Sequence, residues 1–215
     1  MATLWTFGDS FSTRFDDDPF YSSDEYIRYK GYVPKIYPQI ISEKLNMNCE
    51  IYAKGGCDNY TILESVCEIS NNVENDDVII IGWSSFNRFR FINDEDKWVS
   101  ILPFLPPFAN WGNFSNLGKP IFDMVGVNRI DHEKKYSDEV NNWILLINKS
   151  FKNNKIIHWT PFEKSLINAL YFKKINTIFN ETETKIKDGH YSECGHKELA
   201  NILLDMIIGR EKRII

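Results

Sequence analysis

The stretch DDVIIIGW, residues 76–83, carries an unbroken apolar run from Val78 to Ile81 between two acids and a glycine. A strand with one wet face alternates apolar and polar residues. A continuous run suits a strand buried on both faces, as in a parallel sheet. Outward from it, TLWTF (3–7), EIYAK (50–54) and KIIHW (155–159) are further short strand candidates. Helical patterns lie between them. YPQIISEKLN (37–46) has Pro38 in its first turn, where the missing N–H costs nothing, and Ile40, Ile41 and Leu45 as its stripe. DNYTILESVCEISNNV (58–73) can be capped by Asp58, and Ile62, Val66, Ile69 and Val73 recur at helical spacing. YSDEVNNWILLINKSFKN (136–153) is expected to start at Ser137, with Val140, Trp143, Ile144, Ile147 and Phe151 on one face. A last helix runs from about Ser192 to Ile208 and stops at Gly209. This alternation, with its continuous apolar strands, predicts an α/β fold built on a doubly wound parallel sheet.

The 215 residues, 43% apolar and 14% aromatic, suit one domain spanning 1–215. Residues 86–135 depart from the pattern. They are rich in Phe, Trp, Pro, Asn and Gly and read as a long insertion, the kind of loop that often binds. Net charge is −5, which excludes a basic nucleic-acid surface. No basic, then apolar, leader opens the chain, and no window approaches the roughly 18 apolar residues of a membrane span. No membrane partner is expected, and the expected location is cytoplasmic or virion-associated. Cys49, Cys57, Cys67 and Cys194 are scattered without paired spacing and read as free thiols in a reducing compartment.

The first strand ends in LWTFGDSFS, residues 4–12. Ligands of open α/β sheets sit beyond the C-terminal strand ends, so Ser10 is presented at the place where chemistry occurs. A serine hydroxyl needs a base to become nucleophilic. Of four histidines, His158 falls inside a buried strand, His132 in a charged loop, and His196 on the last helix, where it packs or caps. His190 lies just ahead of that helix, two residues after Asp188. In an extended segment such residues share a face, with α-carbons about 6.6 Å apart. Asp188 can then orient one imidazole nitrogen while the other faces Ser10. A metal site of His190, Asp188 and His196 is set aside, because His196 belongs more than a helical turn away. No metal or organic cofactor is expected.

These blocks resemble the SGNH hydrolases, the GDSL-type lipases and esterases, and are most similar to the compact bacteriophage-encoded variants. FGDSFS resembles the first block, AKGGCDNYTI the second, IIIGWSSFNR stands in place of the third, and DGHYSECGHKELA resembles the last. The resemblance implies the SGNH hydrolase fold, an α/β, three-layer, flavodoxin-like parallel sheet with helices on both faces, with Ser10 as nucleophile, His190 as base and Asp188 as its partner. It also implies an oxyanion hole from the backbone N–H groups of Ser10 and Gly56. The family's third block is Gly-x-Asn. Here Gly82-Trp83-Ser84 puts a serine at the donor position, with Asn59 or Asn87 as other ways to fill it. The last block is shortened from Asp-x-x-His to Asp-x-His. Asp9, Trp83, Asn87 and Arg88 are the expected substrate contacts, with Arg88 and Arg90 either meeting an acidic saccharide or remaining surface charges. The expected partner is an ester substrate, an acetylated polysaccharide for choice. The alternative is a virion or carbohydrate-binding protein that keeps the fold and uses its aromatic segment for virion or homo-oligomer contacts.

Overall fold

The run Val78–Gly82 forms the central strand of a five-stranded sheet in a computed structural model of the chain. The structure describes residues 1–17, 22–86, 88–92, 98–101, 129–162, 166, 168–172, 175–183 and 185–210. In chain order the strands are β1 (Thr3–Gly8), β2 (Asn48–Ala53), β3 (Val78–Gly82), β4 (Phe89–Ile92), β5 (Trp98–Ile101), β6 (Lys155–Thr160) and β7 (Leu170–Tyr171). The helices are α1 (Ser23–Lys30), α2 (Tyr37–Leu45), α3 (Asn59–Glu68), α4 (Arg129–Ser150), α5 (Ile178–Glu181) and α6 (Glu193–Ile207).

The sheet order is β2-β1-β3-β6-β7, and every pairing is parallel. Counted within the sheet, this is the doubly wound order 2-1-3-4-5. Alternate residues feed two cores. Trp5, Phe7, Ile79 and Ile81 meet Ile62 and Val66 of α3 and Val140, Ile144 and Ile147 of α4. Leu4, Val78, Ile80, Ile157 and Trp159 meet Tyr37 and Ile41 of α2 and Leu199, Ala200 and Leu203 of α6. The three-layer α/β fold is therefore present, and the continuous apolar run of β3 is buried from both sides. Its neighbour Asp77 is tied to β1 by accepting from the Thr3 N–H and the Trp5 indole N–H, both at 2.7 Å.

Some local expectations shift. The helix expected from Ser137 begins at Arg129, because nothing between 129 and 137 breaks a helix. Ser137 is a buried residue inside it, and His132 is helical rather than in a loop. The helix from Asp58 stops at Glu68 and passes into a 3-10 turn at Ser70–Asn72. The region between the first strand and Tyr37, where the sequence pattern shows no element, contains α1. Its apolar content is too small to show periodicity, yet its acids open it and its bases close it, as the helix dipole favours. Part of the aromatic segment forms the antiparallel pair β4–β5. Phe104, Phe108, Trp111, Phe114 and Phe122 lie outside the described residues. Among the described residues, no helix is long and apolar enough to cross a membrane. The four cysteines are free.

Candidate active site

The chain leaves β1 for β2 on one side and returns to β3 on the other. The C-terminal end of β1 is thus the point where the strand order reverses, which opens a crevice. Gly8 allows the turn that follows. A Cβ there would stand 2.4 Å from Ser12 Oγ, so no side chain fits without displacing Ser12. Asp9 then shapes the corner. Its carbonyl accepts from the Ser12 N–H at 2.9 Å and the Thr13 hydroxyl at 3.0 Å, and its Oδ1 accepts from the Phe11 N–H at 3.1 Å. Ser12 is pinned further by a 3.0 Å bond with the Tyr37 hydroxyl. These bonds hold Ser10 at the tip.

The last block reaches Ser10 from the far end of the chain. His190 Nε2 is 2.7 Å from Ser10 Oγ, and His190 Nδ1 is 2.5 Å from Asp188 Oδ1. The same Oδ1 accepts from the His190 backbone N–H at 2.7 Å. That second bond closes a tight Asp-x-His loop, so the shortened spacing still delivers the carboxylate to the ring. Burial pushes the Asp188 carboxyl up, but the His190 hydrogen bonds and charge outweigh it and hold the group below its ordinary value. An ionised Asp188 only accepts, so Nδ1 carries the ring hydrogen and Nε2 is left to accept from Ser10. The arrangement can move a proton from the serine to the imidazole while a carboxylate steadies the resulting cation.

Two features support this segment without having been singled out in the sequence. The Phe11 ring lies against His190, with centroids 4.8 Å apart, and edge-on to Tyr191 and Phe162. Helix α1 clamps the segment from behind. The Tyr26 hydroxyl donates to Glu181 Oε1 and accepts from the Glu193 N–H, both at 2.8 Å. Lys30 bridges Glu181 at 3.0 Å and Glu193 at 2.7 Å. The Gly-Asp-Ser block gave the Phe11 position away only as an aromatic beside the serine, and α1 offered only its charge order.

The other imidazoles with described side chains are occupied elsewhere. Burial lowers His158 to about 4, and its Nδ1 accepts from the Trp83 indole N–H at 3.2 Å. Burial, then the charge of His190, lowers His196 to about 3, and it packs among Phe15, Tyr37 and Tyr191. Burial pushes the neighbouring Cys57 thiol up to about 12, which leaves it protonated and un-nucleophilic at neutral pH. Among the described residues, no cluster of three or more His, Cys, Asp or Glu side chains could hold a metal ion.

The turn after β2 adjoins the Ser10 turn, since Gly8 O accepts from the Lys54 N–H at 3.1 Å. Gly56 sits in that turn with a left-handed φ of +78°. The third block departs from expectation. Ser84 is fully buried, and its hydroxyl donates to Asp9 Oδ2 at 2.8 Å, so its hydrogen is not free for an oxyanion. Asn59 is equally buried, with Oδ1 accepting from the Ser84 N–H at 2.6 Å and Nδ2 donating to Ser84 O at 3.0 Å. It ties the start of α3 to the end of β3 instead of facing the crevice. Asn87 lies outside the described residues.

The expected substrate contacts are also corrected in part. Asp9 is a buried organiser of the turn, and Trp83 is a fully buried core residue bonded to His158. Neither presents a surface to a ligand. Arg90 pairs with Glu64 through Nη1 and Nη2, at 3.0 and 3.2 Å, with the arginine side chain largely buried and the glutamate exposed. Arg88 is buried beside Asp9, 3.7 Å from its Oδ2.

A doubly wound α/β chain with a hydroxyl, an imidazole and a carboxylate linked in series at its switch point invites comparison with known folds. The structure is similar to an acetyl xylan esterase from the rumen bacterium Butyrivibrio proteoclasticus, with a TM-score of 0.51 at 14% identity over 97% of this chain. It is similar also to a carbohydrate esterase whose active site has divergent catalytic and non-catalytic binding functions, with a TM-score of 0.52 at 13% identity over 99% of this chain. The chain spans 64% and 70% of the lengths of those two proteins. A lipolytic protein of the G-D-S-L family from Veillonella parvula aligns with a TM-score of 0.46 at 11% identity, over 97% of this chain and 99% of its own. At such identities the likeness to the two esterases establishes the fold. No protein-family model and no curated protein matches the sequence.

Proposed function

We propose that the protein is a serine ester hydrolase working through an acyl-enzyme on Ser10. The observation that carries this reading is the chain of short bonds from Ser10 Oγ through His190 to Asp188. Ser10 Oγ attacks the ester carbonyl as its proton passes to His190 Nε2. Asp188 holds the tautomer and steadies the imidazolium. The backbone N–H groups of Ser10 and Gly56 receive the negative oxygen. The alcohol leaves with the proton from His190. Water then attacks the acyl group, gives a proton to His190, and the acid is released as Ser10 regains its hydrogen.

An acetylated carbohydrate is the substrate we favour. Two of the structural neighbours are an acetyl xylan esterase and a carbohydrate esterase. The decisive experiment is p-nitrophenyl acetate hydrolysis by the parent chain, Ser10→Ala and His190→Ala. Activity in the parent that is lost in both variants supports the assignment. Equal rates in parent and Ser10→Ala would falsify it. Acetate release from acetylated xylan, measured beside release from a simple alkyl acetate, tests the carbohydrate preference.

A second reading is a virion structural or carbohydrate-binding protein that keeps the fold with weak or no turnover. The commitment of Ser84 and Asn59 to other partners is the observation that favours it. Retained sugar binding by a parent chain without Ser10-dependent hydrolysis would support that reading.

A further inference from the structure

Arg88 is poorly matched to its surroundings for a structural residue. Its side chain is 6% exposed, and its Nη2 stands 3.7 Å from Asp9 Oδ2, beyond hydrogen-bond length. Its Nε and Nη1 are buried with no hydrogen-bond partner among the described residues. Asp9 is itself occupied, because it accepts from the Phe11 N–H and the Ser84 hydroxyl. A guanidinium stays charged at any working pH, and burying one with incomplete pairing is destabilising. Such a charge is retained in a fold when something other than stability uses it.

Its position says what that use is. Arg88 follows β3, in the third block, where Ser84 bonds to Asp9 and Asn59 to the Ser84 backbone. A Cβ built on Gly56 would meet Arg88 Nη1 at 3.6 Å, while the ion-pair partner Asp9 immediately precedes Ser10. The cation is therefore wedged between the two turns that carry the backbone donors of the hole. We infer that Arg88 supplies the positive charge that stabilises the oxyanion formed at Ser10, a role that Ser84 and Asn59 leave unfilled. The inference rests on the esterase reading. Water is largely excluded at this depth, so attraction between the guanidinium and a developing negative oxygen is weakly screened, whereas the neutral ester gains little. The effect belongs to the transition state and should appear in kcat rather than KM.

The test is steady-state hydrolysis of p-nitrophenyl acetate by the parent, Ser10→Ala, Arg88→Met and Arg88→Lys, with thermal melts of each. The expected result is a fall of about 10²-fold in kcat for Arg88→Met, with KM within about twofold. Arg88→Lys should recover at least about tenfold of that loss, because it restores a charge. The melt of Arg88→Met should fall, since the buried Asp9 carboxylate loses the charge facing it, and the melt serves to show that the variant is folded at the assay temperature. If Arg88→Met fails to fold, Arg88→Gln takes its place in the same comparison. A folded neutral variant with kcat within about threefold of the parent overturns the inference and leaves the esterase reading standing. A raised KM at unchanged kcat also overturns it, and points to an anion-binding role. Lysine performing no better than the neutral variant does the same. A parent chain without Ser10-dependent hydrolysis overturns both the reading and the inference.

Discussion

The hydroxyl of Ser84 donates to Oδ2 of Asp9 at 2.8 Å, deep under the turn that carries Ser10. The bond joins the end of β3 to the end of β1 and turns two residues that look like ligand contacts into supports for the corner. If this is its whole role, Ser84→Ala removes one buried hydrogen bond. We expect a loss of about 1.5–3 kcal/mol in stability, since a buried carboxylate oxygen loses its donor, and a change in kcat of less than about tenfold. Urea unfolding and initial rates on the same preparation check it. A kcat loss beyond about 10²-fold without destabilisation would return Ser84 to the oxyanion hole.

Asp188 holds His190 through its ring and its backbone N–H at once. Asp188→Ala removes the acceptor of both bonds, so the ring hydrogen is no longer held on Nδ1 and the imidazolium loses its counter-charge. We expect kcat to fall about 10³–10⁴-fold with the melting temperature little changed. Stopped-flow or steady-state rates against the parent measure it.

Gly8→Ala places a methyl 2.4 Å from Ser12 Oγ and 2.8 Å from Ser12 Cβ, against a hydroxyl already bonded to Tyr37. We expect about 1–3 kcal/mol of destabilisation, the range for overpacking, and a lowered kcat because the Ser10 turn shifts. A variant with parental stability and rate would show that the corner yields freely.

His158 and His196 make folding pH-dependent. Burial lowers His158 to about 4 and, with the charge of His190, His196 to about 3, while unfolded imidazoles titrate near 6.5. Between those limits the unfolded chain binds more protons than the folded one. Stability is therefore full above about pH 6.5 and declines as the pH falls toward 4. Melting temperatures from pH 7.5 to 4.5 should show the decline, and it should be shallower in His158→Gln. An identical slope in parent and variant would count against a neutral, buried His158.

Much of the scaffold was legible because its signals are local. Val78 to Ile81 needed no neighbour to announce a doubly buried strand, and Ile62 with Val66 and Val140 with Ile144 announced helix faces by spacing alone. Helix α1 escaped because Tyr26 and Ile27 give it too little apolar content to display a period. The start of α4 was misplaced because Ser137 has the chemistry of a cap, and only packing shows that it is buried within the helix.

The site divides along the same line. By itself the sequence determined that Ser10 ends a strand and that Asp188 and His190 share one short segment, because strand ends and next-but-one spacing are properties of the local chain. Only the tertiary structure decided that His190 meets Ser10, that Ser84 and Asn59 turn away from the crevice, and that Arg88 is left incompletely paired beside Gly56. A side chain's hydrogen-bond partner depends on which strand lies next to which and in what register. Here β1 pairs with both β2 and β3, and that pairing brings Ser84 of the third block onto the Asp9 carboxylate of the first and sets Asn59 of the second against the Ser84 backbone.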